Sequence, residues 1–128
     1  MCKLVALSTN YGEKVKVAEV KKSSIENIIQ LAPMCNAITE IILFGSAIEE
    51  RCQENSDIDI AIISSKSVHA LSKMKSFDKF MNGVYTFNIQ QEYDRLYFKT
   101  IEDVEKKRDT VPICNELITK GKIIYRRM

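Results

Sequence analysis

Paired cysteines, clustered histidines, glycine-rich linkers and long apolar runs are all missing from this chain of 128 residues. Its four cysteines (Cys2, Cys35, Cys52, Cys114) form no C-x-x-C pair, and the single histidine, His69, has no companion. Both absences argue against a structural zinc site and a disulfide framework. Free thiols in a chain without a signal peptide fit a reducing compartment, so a cytoplasmic protein is expected. No run approaches the ~18 apolar residues that a membrane span needs. With only four Gly and two Pro, and neither repeats nor low-complexity tracts, one domain over residues 1–128 is expected. The formal net charge of +2 is too small to advertise nucleic acid as a partner. Basic residues gather in the closing "TKGKIIYRRM", which reads as a solvated tail rather than a binding patch.

What is present is the balance of a soluble globular protein, 45% apolar and 28% charged. Residues 13–32 read as helix, at least in their second half, where Ser23 or Ser24 could cap a run with Ile25, Ile28, Ile29 and Ala32 on one face. A β-branched apolar run over 38–44 reads as a strand halted by Gly45, and "DIDIAII" (57–63) as a second. Ala70, Met74, Phe77, Met81 and Val84 recur at helical spacing and predict a helix over 67–84. "EYDRLYF" (92–98) alternates as a third strand. Thr100 and Asp103 form a capping pair, Pro112 restarts a helix with Thr110 as cap, and Gly121 closes it before "KIIYR" (122–126), a last strand. The order α-β-β-α-β-α-β describes an α/β (α+β) fold of about four strands flanked by helices. The join between the first two strands, about a dozen residues long, is where a functional loop would sit.

That join lies inside "LFGSAIEERCQENSDIDIAII", residues 43–63. Alternation points Asp57 and Asp59 to one side of their strand, roughly 6–7 Å apart. Two carboxylates among apolar residues repel each other and lose hydration, which drives one toward protonation. A divalent cation removes that penalty, and hard oxygen ligands suit Mg2+. Taken alone, the pair is more commonly two solvated carboxylates at a strand end. Gly45-Ser46 changes the balance, because a glycine after a strand admits close backbone approach, and the N–H groups and hydroxyl that follow can cradle a phosphate. A phosphate cradle beside a metal-binding carboxylate pair is what transfer from a metal–triphosphate requires.

The stretch "FGSAIEERCQENSDIDIAI" resembles the signature of the minimal nucleotidyltransferases of the DNA polymerase β superfamily: strand, G-S, loop, then S-D-x-D on the next strand. The resemblance implies a small mixed sheet in a polymerase β-like palm. It implies nucleotide binding by Gly45, Ser46 and Ser56, and Mg2+ binding by Asp57 and Asp59. It also implies a third carboxylate on a neighbouring strand, for which Asp94 is the candidate and Glu92 the fallback. The chain departs from the pattern where Ala-Arg-Gly often follows: here stand Ile48-Glu49-Glu50. Either Arg51 supplies the triphosphate contact from the next turn, or nucleotide binding is weakened.

The implied reaction is Mg2+-dependent in-line displacement on the α-phosphorus of ATP or another NTP. Two Mg2+ ions are expected, bridged by Asp57 and Asp59, with Asp94 as further ligand and general base. The acceptor hydroxyl is expected in trans, on a small helical HEPN-type partner, as in antitoxins that nucleotidylylate a toxin tyrosine. The alternative is a catalytically weak or inactive module acting by protein binding, which Glu49 and Glu50 support. A nucleic-acid binder is disfavoured by the charge, and homo-oligomerisation is left open. His69 reads as a surface residue, Tyr85, Tyr93, Tyr97 and Tyr125 as packing or partner contacts, and Cys52 as an unactivated thiol in the loop.

Overall fold

The computed structural model describes residues 1–128 throughout. Its N-terminus departs from the expected helix. Leu4–Ser8 (β1) and Lys14–Ala18 (β2) pair as an antiparallel hairpin in the register Leu4↔Ala18 to Ser8↔Lys14, and Gly12 takes the positive φ (89°) of its turn. The first half of residues 13–32 is therefore strand. Val15 and Val17 alternate with Lys14 and Lys16, a period of two that packs Val17 into the core. A 3-10 turn, Glu19–Lys21, feeds directly into helix α1, Lys22–Leu31, so neither Ser23 nor Ser24 caps it; both lie inside its first turn.

The main sheet is built from β3 (Glu40–Phe44) and β4 (Ile58–Ile63), then β5 (Tyr93–Phe98) and β6 (Lys122–Arg126), in the order β5-β4-β3-β6. β3 pairs antiparallel with β4 and β6, while β4 and β5 are parallel, which makes the sheet mixed as expected. The parallel pair needs a crossover, supplied by α2 (Val68–Ser72) and α3 (Lys75–Phe87). One helix was expected over 67–84. The chain breaks it at Met74, whose backbone is extended, although the apolar stripe runs through the break. Ser67 caps α2 by accepting from the Ala70 N–H at 3.1 Å.

After β5, Thr100 accepts from the Asp103 N–H at 3.0 Å and opens α4, Ile101–Lys106, as its sequence indicates. Helix α5, Pro112–Thr119, restarts at the proline. Thr110 is not its cap; the position before Pro112 is Val111, and the Thr110 hydroxyl turns back to the Lys107 carbonyl.

The sheet is covered on both faces, which is why β4 reads as a nearly unbroken apolar run. Ile41, Leu43, Ile58, Ile60 and Ile62 pack under α1, α3 and the hairpin. Ile42, Phe44, Ala61 and Ile63 meet Val104, Cys114 and Leu117 from α4 and α5. Each fully buried isoleucine contributes about 1.5–3 kcal/mol of transfer free energy. The basic C-terminus is a clamp rather than a solvated tail. Arg127 donates to the carbonyls of Cys35 (2.6 Å), Ile38 (2.9 Å) and Ala32 (3.4 Å). Arg126 pairs with Glu40 at 3.3 Å and lies 4.8 Å over the Tyr11 ring. No helix is long and apolar enough to cross a membrane.

Candidate functional site

Topology gathers three chain segments at one end of the sheet. β3 ends there at Phe44, its antiparallel neighbour β4 begins there, and β5, parallel to β4, begins there too. Asp59 consequently lies opposite Phe44 on one side and opposite Asp94 on the other. Asp57 precedes β4 by one residue. Asp59, Ala61 and Ile63 share a face, so the Asp59 carboxylate stands on the edge of the apolar cluster beneath α5.

That position has an electrostatic consequence. Desolvation, first, and then the charge of Asp94 and a side-chain hydrogen bond with it push the Asp59 pKa up to about 6; Asp57 and Glu116 of α5 add to the rise. Asp59 is half-buried while Asp94 is exposed, so the pair has one foot in the core and one in solvent. The register places Asp94, not Glu92, beside Asp59; what Glu92 contributes here is its carbonyl, which accepts from the Ile58 N–H at 3.0 Å.

Gly45 completes the arrangement from the β3 side. Its φ of 73° lies in the left-handed region, and a Cβ there would collide with Asp59 Oδ2. The glycine therefore does two things: it turns the chain sharply out of β3, and it leaves the space that the Asp59 carboxylate occupies. Ser46 follows in the 3-10 turn Gly45–Ile48. Ser56 is used in shaping the loop, its hydroxyl accepting from the Gln53 N–H (2.9 Å) and its carbonyl from Gln91 Nε2 (3.0 Å).

Beside Gly45 opens a cleft of about 400 Å3 lined by Glu49, Arg51, Glu116, Lys120 and Lys122 among others. Arg51 is in reach of it but not free. Its guanidinium pairs with Glu49 at 2.8 Å, with 68% of its side chain exposed. Lys120 and Lys122 come from the far end of the sequence, brought here because β6 runs antiparallel to β3 and sets Lys122 opposite Leu43. Sequence reasoning found the strand over 122–126 but missed these two lysines as site residues, because it took the basic charge of the segment for a solvated tail and had no strand order to set β6 beside β3. Glu116 was missed as well, and nothing in its spacing singles it out. Lys21, buried in the 3-10 turn before α1, lay in the stretch expected to be helix.

The donor set fits a hard divalent cation: all oxygen, anionic, and with one carboxylate whose ionisation is opposed by its neighbours. The two carboxylates stand opposite each other across the β4–β5 pairing, and no three Asp, Glu, His or Cys side chains converge on one point as a metal cage. Protonation of Asp59 and binding of a cation are alternative ways of relieving the same repulsion.

The sequence matches the family described as Polymerase beta, Nucleotidyltransferase over residues 26–128. Three solved structures are similar. A toxin–antitoxin with AMP-PNP shares 19% identity at a TM-score of 0.54, covering 81% of this chain and 74% of the other. The toxin–antitoxin MntA-HpeT, in a mutant with two aspartates changed to glutamate, shares 17% at 0.53, covering 81% and 74%. A tri-AMPylated Shewanella oneidensis HEPN toxin in complex with MNT antitoxin shares 17% at 0.49, covering 84% and 73%. At these identities the likeness is one of fold. No curated protein matches the chain in sequence.

Proposed function

Because this chain belongs to the polymerase beta nucleotidyltransferase family, we propose that it transfers AMP from ATP to a hydroxyl group on a partner protein. The observation that carries the reading is the crowding of Asp59 between Asp94 and Gly45 at the mouth of a cleft with cationic walls. Asp57, Asp59 and Asp94 would hold Mg2+. When bound, Mg2+ would neutralise triphosphate charge and make the attacking hydroxyl more acidic.

The chain's own groups divide the remaining work. The Gly45–Ser46 turn offers backbone N–H groups and a hydroxyl to a phosphate. Lys120, Lys122 and Arg51 line the cleft where the polyphosphate would lie, and the lysines take the place of the arginine that often follows Gly-Ser in the family. The Asp94 carboxylate is exposed, so an acceptor can reach it, and it takes the proton of the acceptor hydroxyl. The acceptor oxygen bonds to the α-phosphorus, the bond to the bridging oxygen breaks, and pyrophosphate leaves.

The partner is a small helical toxin of the HEPN type, with the transfer acting to neutralise it. The family resemblance supports this, as do two neighbours that are toxin–antitoxin pairs, one with AMP-PNP. The test is incubation with α-labelled ATP, Mg2+ and a HEPN-type partner, comparing wild type with the Asp57→Ala/Asp59→Ala double variant. Metal-dependent labelling of the partner that vanishes in the variant supports transfer. A second reading, neutralisation by binding alone, draws on the Glu49–Arg51 ion pair, which ties up the nearest arginine; it is the conclusion if no label moves and the variant still binds the partner.

A further inference from the structure

Lys21 is a charged side chain with only 1% of its surface exposed, and it lies in the N-terminal segment that precedes the family match. Its ammonium donates to Gln91 Oε1 at 2.6 Å and to the Glu54 carbonyl at 2.8 Å. Gln91, itself 7% exposed, passes the connection on, donating from Nε2 to the Ser56 carbonyl (3.0 Å) and the Glu92 carbonyl (2.7 Å). Ser56 stands immediately before Asp57, and Glu92 two residues before Asp94. One buried amine therefore fixes, through one amide, both strand entrances that carry the acidic cluster.

Energetics make a purely stabilising role a poor explanation. Burying an ammonium is expensive unless a counter-charge is in direct contact, and the two acceptors here are a neutral amide and a neutral carbonyl. A methionine would fill much the same volume without that penalty. What the lysine adds is directional hydrogen bonding to a loop that has no regular pairing of its own. The same segment braces the loop a second time, through the Cys2 N–H donating to the Glu50 carbonyl at 2.8 Å.

We infer that Lys21 is a positioning residue, which holds the loop before Asp57 and the approach to Asp94 so that the carboxylates of β4 and β5 stay opposed. The inference rests on the reading that these carboxylates form the active site. It also gives the N-terminal hairpin and turn a role in the reaction: they deliver the brace.

The experiment compares wild type, Lys21→Met, and the paired variant Lys21→Met/Gln91→Met, in which both partners become apolar at similar volume. Three quantities are read: Mg2+ affinity by calorimetry, amide hydrogen exchange of the metal-free protein over residues 55–59 and 91–95, and global stability in urea. Lys21→Met is expected to lose protection selectively in those two stretches and to bind Mg2+ about 10–100-fold more weakly, the usual effect of removing a group that orients metal ligands. The paired variant is expected to regain part of the stability, since the Gln91 amide is no longer left without its partner, yet to keep the weakened Mg2+ affinity, because the Ser56 and Glu54 carbonyls have lost their donors. If Lys21→Met fails to fold, the paired variant supplies both readouts. Mg2+ affinity within twofold of wild type with unchanged exchange overturns the inference, as does a paired variant that recovers affinity along with stability. If wild type takes up no Mg2+, the proposed function fails instead, and exchange over 55–59 and 91–95 still decides whether Lys21 braces the loop.

Discussion

Replacing Asp59 by Asn should make the metal-free protein more stable while removing its use for Mg2+. The Asp59 pKa is pushed up to about 6 by desolvation and by Asp94, from an ordinary value of 3.8. A raised carboxylate contributes stability that is complete below the unfolded pKa and lost as pH rises through the folded one. The loss therefore develops between about pH 4 and 6 and is complete at pH 7.5. A shift of that size corresponds to at most ~3 kcal/mol, and solvent access to the half-buried group reduces it to roughly 1–2 kcal/mol. Asn keeps the shape, carries no charge, and can donate to Asp94. In EDTA at pH 7.5, Asp59→Asn should thus melt several degrees above wild type, on a scale of ~4 °C per kcal/mol for a chain of this size. At pH 4 the two should melt together. Millimolar Mg2+ should raise the melting temperature of wild type but not of the variant. The reasoning is refuted if Asp59→Asn is the less stable protein at pH 7.5 in EDTA, or if Mg2+ stabilises both equally.

Other consequences follow from the same geometry. Gly45→Ala places a Cβ at φ 73° against Asp59 Oδ2; a loss of at least ~2 kcal/mol in urea unfolding is expected, with Mg2+ binding lost at temperatures where the variant remains folded. Lys120→Ala and Lys122→Ala, both exposed in the cleft, should each raise KM for ATP about tenfold, ~1.4 kcal/mol, and leave the melting temperature within a degree or two. Arg127→Ala removes the donor to three carbonyls and should cost about 1–3 kcal/mol of stability, with KM for ATP unchanged.

The legible parts of the fold were those where local pattern and tertiary need agree. β3 and β4 announce themselves because both their faces are buried, so nearly every position is β-branched or apolar. Thr100 and Asp103 were legible because a cap is a local contact. The hairpin was obscured because the turn that joins Lys14–Ala18 to the helix, Glu19–Lys21, contains no glycine or proline, and its valines suit either period over so few residues. The break at Met74 was invisible because the stripe of apolar side chains continues across it. At the site, the spacing of Gly45, Asp57 and Asp59 was legible in the sequence, whereas only the parallel pairing of β4 with β5 shows that Asp94, and not Glu92, lies opposite Asp59. Lys21, Lys120 and Lys122 were hidden for a shared reason: lysine on a short sequence scale signals solvent, and only the closed sheet shows one of them enclosed and two lining a cleft.

The central claim is that the end of the sheet where Gly45, Asp59 and Asp94 meet takes up a metal–nucleotide. A crystal structure of the chain grown with Mg2+ and AMP-PNP tests it most directly. The account predicts Mg2+ at about 2.0–2.1 Å from Asp57 and Asp59 oxygens, and phosphates resting on the Gly45–Ser46 turn with Lys120 and Lys122 alongside. A nucleotide bound elsewhere, or saturating Mg2+ that leaves the Asp59 carboxylate without a metal contact, would contradict it.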